Sequence, residues 1–103
     1  MARFVVINDK DNVATAVSEI RSGTRVKVNV GGREVEVEVK NDIPFGHKFA
    51  LRDIEVGENV VKYGEVIGVA TRSIKAGEHV HVHNVVSTFT WKAMKKAGSI
   101  ERD

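Results

Sequence analysis

The chain has 103 residues, 42% hydrophobic and 29% charged, with a formal net charge of +2 and no cysteine. That length fits one small domain over residues 1–103; the lack of cysteine excludes disulfides and thiolate metal sites, and no apolar run approaches the roughly 18 residues of a membrane span. Basic and acidic residues interleave except at Lys92, Lys95 and Lys96, and the aromatics do not alternate with bases, so nothing favours a nucleic-acid partner.

Residues 4–7 are continuously apolar and close on Asn8-Asp9-Lys10-Asp11, which predicts a short first strand. The run is too short for a signal-peptide core, so a cytoplasmic location is expected. Val13, Ala16, Val17 and Ile20 then recur at helical spacing, with Asp11 or Asn12 as N-cap and Gly23 past the end, and this predicts a helix near residues 13–21.

From Thr24 the period becomes two. Val26, Val28 and Val30 alternate with Arg25, Lys27 and Asn29; beyond Gly31-Gly32, Val35, Val37 and Val39 alternate with Glu34, Glu36 and Glu38, a β-hairpin pattern. The three glutamates oppose Arg25 and Lys27, so a cross-strand charge match explains them better than a metal cage does.

Asp42-Ile43-Pro44-Phe45-Gly46-His47-Lys48 carries the only proline. Pro44 holds Ile43 extended and Gly46 permits positive φ, so the chain is shaped into a defined turn that presents His47 and Lys48. Further on, Ile54-Glu55-Val56-Gly57-Glu58-Asn59-Val60 returns as Ile74-Lys75-Ala76-Gly77-Glu78-His79-Val80, with a fainter copy at Ile20-Arg21-Ser22-Gly23-Thr24-Arg25-Val26. Each copy reads as a buried isoleucine, a turn that needs glycine and a departing strand, which implies a pseudo-symmetric β domain. Between the later copies, Gly64 marks a turn after Lys62-Tyr63 and Gly68 a close backbone approach.

Gly77-Glu78-His79-Val80-His81-Val82-His83-Asn84-Val85 holds three of the four histidines. Read as a strand it puts His79, His81 and His83 on one face and Val80 and Val82 on the other. Such imidazoles suit a divalent metal or proton transfer near neutral pH, although a solvated strand shows the same alternation. Phe89, Trp91, Ala93, Met94 and Ala97, with lysines opposite and Gly98 at the end, predict a short C-terminal helix whose Trp91 and Met94 either dock on the domain or face a partner.

Four ordered motifs, Asp11-Asn12-Val13-Ala14-Thr15-Ala16, residues 43–51, residues 61–68 and residues 77–84, resemble the amino-terminal SAF domain of the altronate and galactarate dehydratases, a domain that also occurs as the small subunit of sulfolactate sulfo-lyase. The resemblance implies a mainly β fold of the β-clip type. In the fused dehydratases a long catalytic region follows this domain, so the resemblance also implies a carbon–oxygen lyase (hydro-lyase) subunit that is inactive until a separately encoded large subunit joins it. A stand-alone module that binds a carbohydrate or sugar acid without catalysis is the alternative, as is a purely structural domain, and homo-oligomerisation is compatible with each.

Elimination from a 2-hydroxy acid needs a base for the α-proton, an acid for the leaving group and a cation beside the enolate-like intermediate. His47, His81 and His83 are therefore the candidate catalytic residues, and His81 and His83 the candidate ligands of a divalent metal, iron(II) or manganese(II). Lys48 and Lys62 are candidates for neutralising carboxylate charge, and Tyr63 and Asn84 for hydrogen-bonding substrate hydroxyls. Two histidines two apart on a strand lie roughly 7 Å apart, so a third ligand is expected from the Pro44–Gly46 loop or from the partner.

Overall fold

Four stretches of the chain take the same conformation. In the computed structural model, which describes residues 2–98, Ile20, Ile43, Ile54 and Ile74 are each buried and each open a turn closed by an i to i+3 backbone hydrogen bond: Thr24 N to Arg21 O, His47 N to Pro44 O, Glu58 N to Glu55 O and Glu78 N to Lys75 O, at 3.0–3.1 Å. Gly23, Gly46, Gly57 and Gly77 hold the third position at φ of 84–90°, the left-handed geometry of a type II turn. Their amides donate to Val39, Ala16, Ala70 and Ala50 at 2.7–2.9 Å. Ile20 bridges to Ile43, and Ile54 to Ile74, so the copies associate as two pairs. The Ile43 copy was hidden in the sequence because Pro-Phe and His-Lys fill the positions that separate its isoleucine, glycine and Phe49.

The elements that leave these turns are short and pair antiparallel. β1 (Phe4–Val5), β2 (Val13–Ala16), β5 (Lys48–Ala50) and β8 (His79–Val80) form one sheet in the order β1-β2-β5-β8. β3 (Arg25–Val30) and β4 (Arg33–Glu38) make a separate hairpin, and β6 (Asn59–Lys62), β7 (Glu65–Ala70) and β9 (Val85–Val86) a three-stranded sheet. The Gly31-Gly32 hairpin forms as expected, with Arg25 opposite Glu38 and Lys27 opposite Glu36. Arg25 lies 3.7 Å from Glu38 and 3.9 Å from Glu36, a charge match across the strands, and Lys40 lies 3.8 Å from Glu38 on the same side, whereas Glu34 faces Asn29 instead of a base. The Tyr63-Gly64 turn and a bulge between Val60 and Val61 also follow the glycine pattern, and a Cβ on Gly68 would lie 2.7 Å from Val86 O.

β2 and β5 are buried on both faces. Ala14, Ala16 and Phe49 point into a core built on Ile20 and Ile43, with the valines of the β3–β4 hairpin, whereas Val13, Ala50 and Val80 point into a second core built on Ile54 and Ile74. This burial corrects the expected helix at residues 13–21: a strand covered on both sides has no polar face, so its apolar residues fit helical spacing by coincidence. Asp11 and Asn12 cap no helix. The Asp11 carboxylate accepts from the amides of Ile7, Asn8 and Gly64, and the Asn12 side chain bridges Asn59 O and Val61 N, so both pin the β6–β7 hairpin to the first sheet.

The helix lies at the other end of the chain. α1 (Thr88–Ala97) starts from Ser87, whose Oγ accepts from Thr90 N at 3.0 Å, and ends on Gly98 at φ 68°, with Lys95 and Lys96 in its last turn. Trp91 docks over Gly57, so the helix packs on the domain, while Phe89 remains exposed. No helix among the described residues is long and apolar enough to cross a membrane.

Candidate functional site

The histidine stretch is not one strand. β8 ends at Val80, residues 81–84 form a turn, and Val82 is 80% exposed instead of facing inward. The turn is built around Asn84. This buried side chain accepts the His81 amide on Oδ1 and donates from Nδ2 to His79 O, both at 2.9 Å, while its backbone amide donates to His81 O. One acceptor site and one donor of the Asn84 amide are thus engaged in shaping the loop.

Curling the chain after Val80 gathers the imidazoles. β5 pairs with β8 so that Phe49 faces His79 across the ladder, and the type II turn before β5 delivers His47 to the same side. His47 Nδ1 lies 2.8 Å from His79 Nε2, and the His47 ring stacks on His81 with centroids 4.1 Å apart and planes at 13°. His79 and His81 are 5.5 Å apart, and one nitrogen from each of His47, His79 and His81 lies within 4.8 Å of the others. His83 is exposed and tilted beside His79 at 5.2 Å, outside that trio. His47 and His81 therefore come together as expected, and His79 takes the place expected of His83.

The surroundings disfavour the charged form of two of these rings, His79 and His81. Partial burial pushes His79 down to about 4, with His47, His83, His81 and Lys48 adding repulsion in that order. Burial also lowers His81, followed by the charges of His47, Lys48 and His83. Lys48 leaves the opposite face of β5 and sits below its ordinary value through burial and then the neighbouring Lys62, so the two lysines concentrate positive charge. Lys62 Nζ lies 5.1 Å from the Tyr63 ring, and Tyr63 stands exposed at the hairpin tip. The donor set fits a divalent first-row ion: three half-buried imidazoles each bring a ring nitrogen within 4.8 Å of the others, and burial disfavours the charged form of His79 and His81.

The cluster is the shared wall of two clefts. One, of about 260 Å³, is mostly apolar and is lined by Lys48, Ile67, Val80, His81, Val82 and Val85 among others. The second, of about 230 Å³, is polar and is lined by Asn41, Arg72, Ser73, Glu78, His79 and His83, with Asn84 at its base.

The family model of the altronate/galactarate dehydratase SAF domain matches residues 2–88. The chain belongs to this family. The matched region takes in the β-clip arrangement of short strands and includes the imidazole cluster. The chain is 44% identical over 84 residues to the altronate dehydratase of Bacillus subtilis (strain 168), covering 82% of this chain and 16% of that protein. With the galactarate dehydratase (L-threo-forming) of Escherichia coli (strain K12) the identity is 37% over 87 residues, 82% of this chain and 15% of the relative. With the (2R)-sulfolactate sulfo-lyase subunit alpha of Chromohalobacter salexigens it is 45% over 85 residues, 80% of this chain and 90% of that subunit. The chain thus spans about one sixth of the length of the dehydratases and nearly all of the sulfo-lyase subunit.

Several residues of this SAF domain escaped sequence reasoning. His79 was visible on the histidine face, and aligning the Ile43 copy with the Ile74 copy would have brought it forward, since His47 and His79 sit at adjacent positions of the repeat. Asn41, whose Oδ1 accepts the His79 amide at 2.9 Å, and Arg72 carried no local signal, because the fold alone places them beside the cluster.

Proposed function

We propose that the chain is the small subunit of a sugar-acid dehydratase-type lyase and supplies an imidazole-and-lysine wall to an active site that a separately encoded large subunit completes. The observation that carries this reading is the convergence of His47, His79 and His81 beside Lys48 and Lys62, in a chain that covers 90% of a lyase subunit named alpha. The zero cysteine count supports a cytoplasmic setting.

The chemistry follows from the geometry. His47, His79 and His81 would hold a divalent ion, and three nitrogen donors favour iron(II) over manganese(II), which prefers oxygen. Such an ion supplies charge stabilisation for the carboxylate and hydroxyl of a 2-hydroxy acid. Lys48, with Lys62 behind it, attracts the substrate carboxylate through the cleft that His81 walls. His83, exposed at the rim and outside the metal trio, is free to move a proton, as base for the α-hydrogen or as acid for the departing group. Tyr63 lies toward the hairpin tip beside Lys62, where its hydroxyl is available to a substrate or to the large subunit.

Reconstitution tests the reading. The purified chain with iron(II) should not turn over altronate, galactarate or sulfolactate, and activity toward one of them should appear on mixing with its large subunit. Turnover by the chain alone, or an active large subunit that gains nothing from it, would refute the proposal.

A further inference from the structure

The chemistry above draws on His79 and His83 but leaves the rest of the polar cleft that they line, Asn41, Arg72 and Ser73, without a role. Its lining holds three donors without partners among the described residues: the Arg72 guanidinium, the Ser73 hydroxyl and the Asn41 amide nitrogen, whose oxygen alone is engaged by His79 N. The one carboxylate on that wall, Glu78, is turned back into its own turn, where Oε1 accepts the Lys75 amide at 2.7 Å. Arg72 is exposed and forms no ion pair, unlike Arg25, Arg52 and Lys75, each of which has an acidic neighbour within 4.0 Å. A guanidinium that forms no ion pair, beside the neutral donors of Ser73 and Asn41 in a concave wall, suits a planar or tripodal oxyanion even with the Glu78 carboxylate on the same wall.

We infer that the Arg72 cleft is a second anion subsite, which selects hydroxy acids bearing an acidic group at both ends over those bearing one. The first acidic group belongs to the Lys48 side of the imidazole cluster and the second to Arg72, Ser73 and Asn41, so both ends of the ligand meet positive charge while its middle faces the rings. A polyhydroxy acid with a terminal alcohol leaves the guanidinium unpaired and gains nothing from the second cleft. The inference deepens the lyase reading by naming the substrate class, and it rests on that reading only for the choice of hydroxy acids.

Galactarate and galactonate form a matched pair of probes, since they differ at one terminus, carboxylate against alcohol. Both are titrated into the metal-free full chain in chelator at constant ionic strength, and amide and Arg side-chain N–H shifts are followed by NMR. Galactarate should bind about tenfold more tightly than galactonate, the worth of one charge-assisted hydrogen bond, with shifts at Arg72, Ser73 and His83. Arg72→Gln should remove that advantage and leave galactonate binding unchanged. Lys75→Gln, which alters an ammonium paired with Asp53 outside the cleft, should change neither. Equal affinities in the wild-type chain, shifts confined to Lys48 and His81, or a galactarate advantage that survives Arg72→Gln would each overturn the inference. Failure of reconstitution would instead overturn the lyase reading and leave this selectivity standing.

Discussion

The four type II turns make a natural experiment, because the same backbone angle occurs in different surroundings. Alanine at any of them must adopt φ near +90°, which costs an L-residue about 1–2 kcal/mol. At Gly23 the added methyl meets nothing within 4 Å, so the dihedral penalty is the whole effect. At Gly57 it meets the rim of the Trp91 ring at 3.3 Å, and α1 must shift slightly to admit it. At Gly77 the methyl would overlap the Glu38 carbonyl oxygen, and relieving the overlap disturbs the bonds from Lys40 N to Gly77 O and from Gly77 N to Ala50 O, both 2.8 Å. With about 1 kcal/mol for each bond, Gly77→Ala should cost about 3–4 kcal/mol, a large share of the roughly 5–15 kcal/mol that holds such a domain folded. Urea unfolding followed by Trp91 fluorescence should rank the variants Gly23→Ala, Gly57→Ala, Gly77→Ala in increasing loss. The first should lower the melting temperature by about 4–15 °C, scaled from its energy. Equal losses for Gly23→Ala and Gly77→Ala would refute the close packing of the Gly77 turn against β4.

His79→Ala should weaken iron(II) binding by the chain at least tenfold and His83→Ala should change it little, since only the former belongs to the converging trio; calorimetric titration separates them, and the reverse order would restore the pairing of His81 with His83. Asn84→Ala removes the buried side chain that joins His81 N to His79 O, and should cost about 2 kcal/mol in denaturant melts while weakening metal binding through a loosened loop. In chelator, stability should fall as the pH drops from about 6.5 to about 4, because the unfolded chain takes up a proton at His79 that the folded chain refuses. Full linkage over that window is about 3 kcal/mol, which solvent screening at this half-buried ring reduces to about 1–2 kcal/mol; His79→Ala should flatten the slope.

The β3–β4 hairpin was legible because its outer face is polar and its turn is Gly-Gly, so period, register and charge pairing all agree. The turns were legible for a related reason, as left-handed geometry leaves glycine in the sequence as a marker. β2 was not legible: Val13, Ala14 and Ala16 contact two cores, and a segment with no solvated side carries no period to distinguish strand from helix. The histidine region shows the opposite difficulty. Strict alternation over residues 79–83 announced a strand, and one buried asparagine, through two side-chain bonds to backbone, bent it into a loop. The grouping of His47 with His81 could be anticipated from the Pro44–Gly46 turn, whereas the inclusion of His79 and the exclusion of His83 depend on that bend.

The two isoleucine pairs anchor two separate cores, and the imidazoles are divided between them: His47 follows the turn of the Ile43 copy, and His79 and His81 follow that of the Ile74 copy. Neither half of the chain holds the trio by itself. The site is therefore a report on whether the halves have docked, and an ion held by all three rings would act as a clasp across their boundary. At a free-ion concentration one hundred times its dissociation constant, such a clasp would add about 2.7 kcal/mol to the union of the halves.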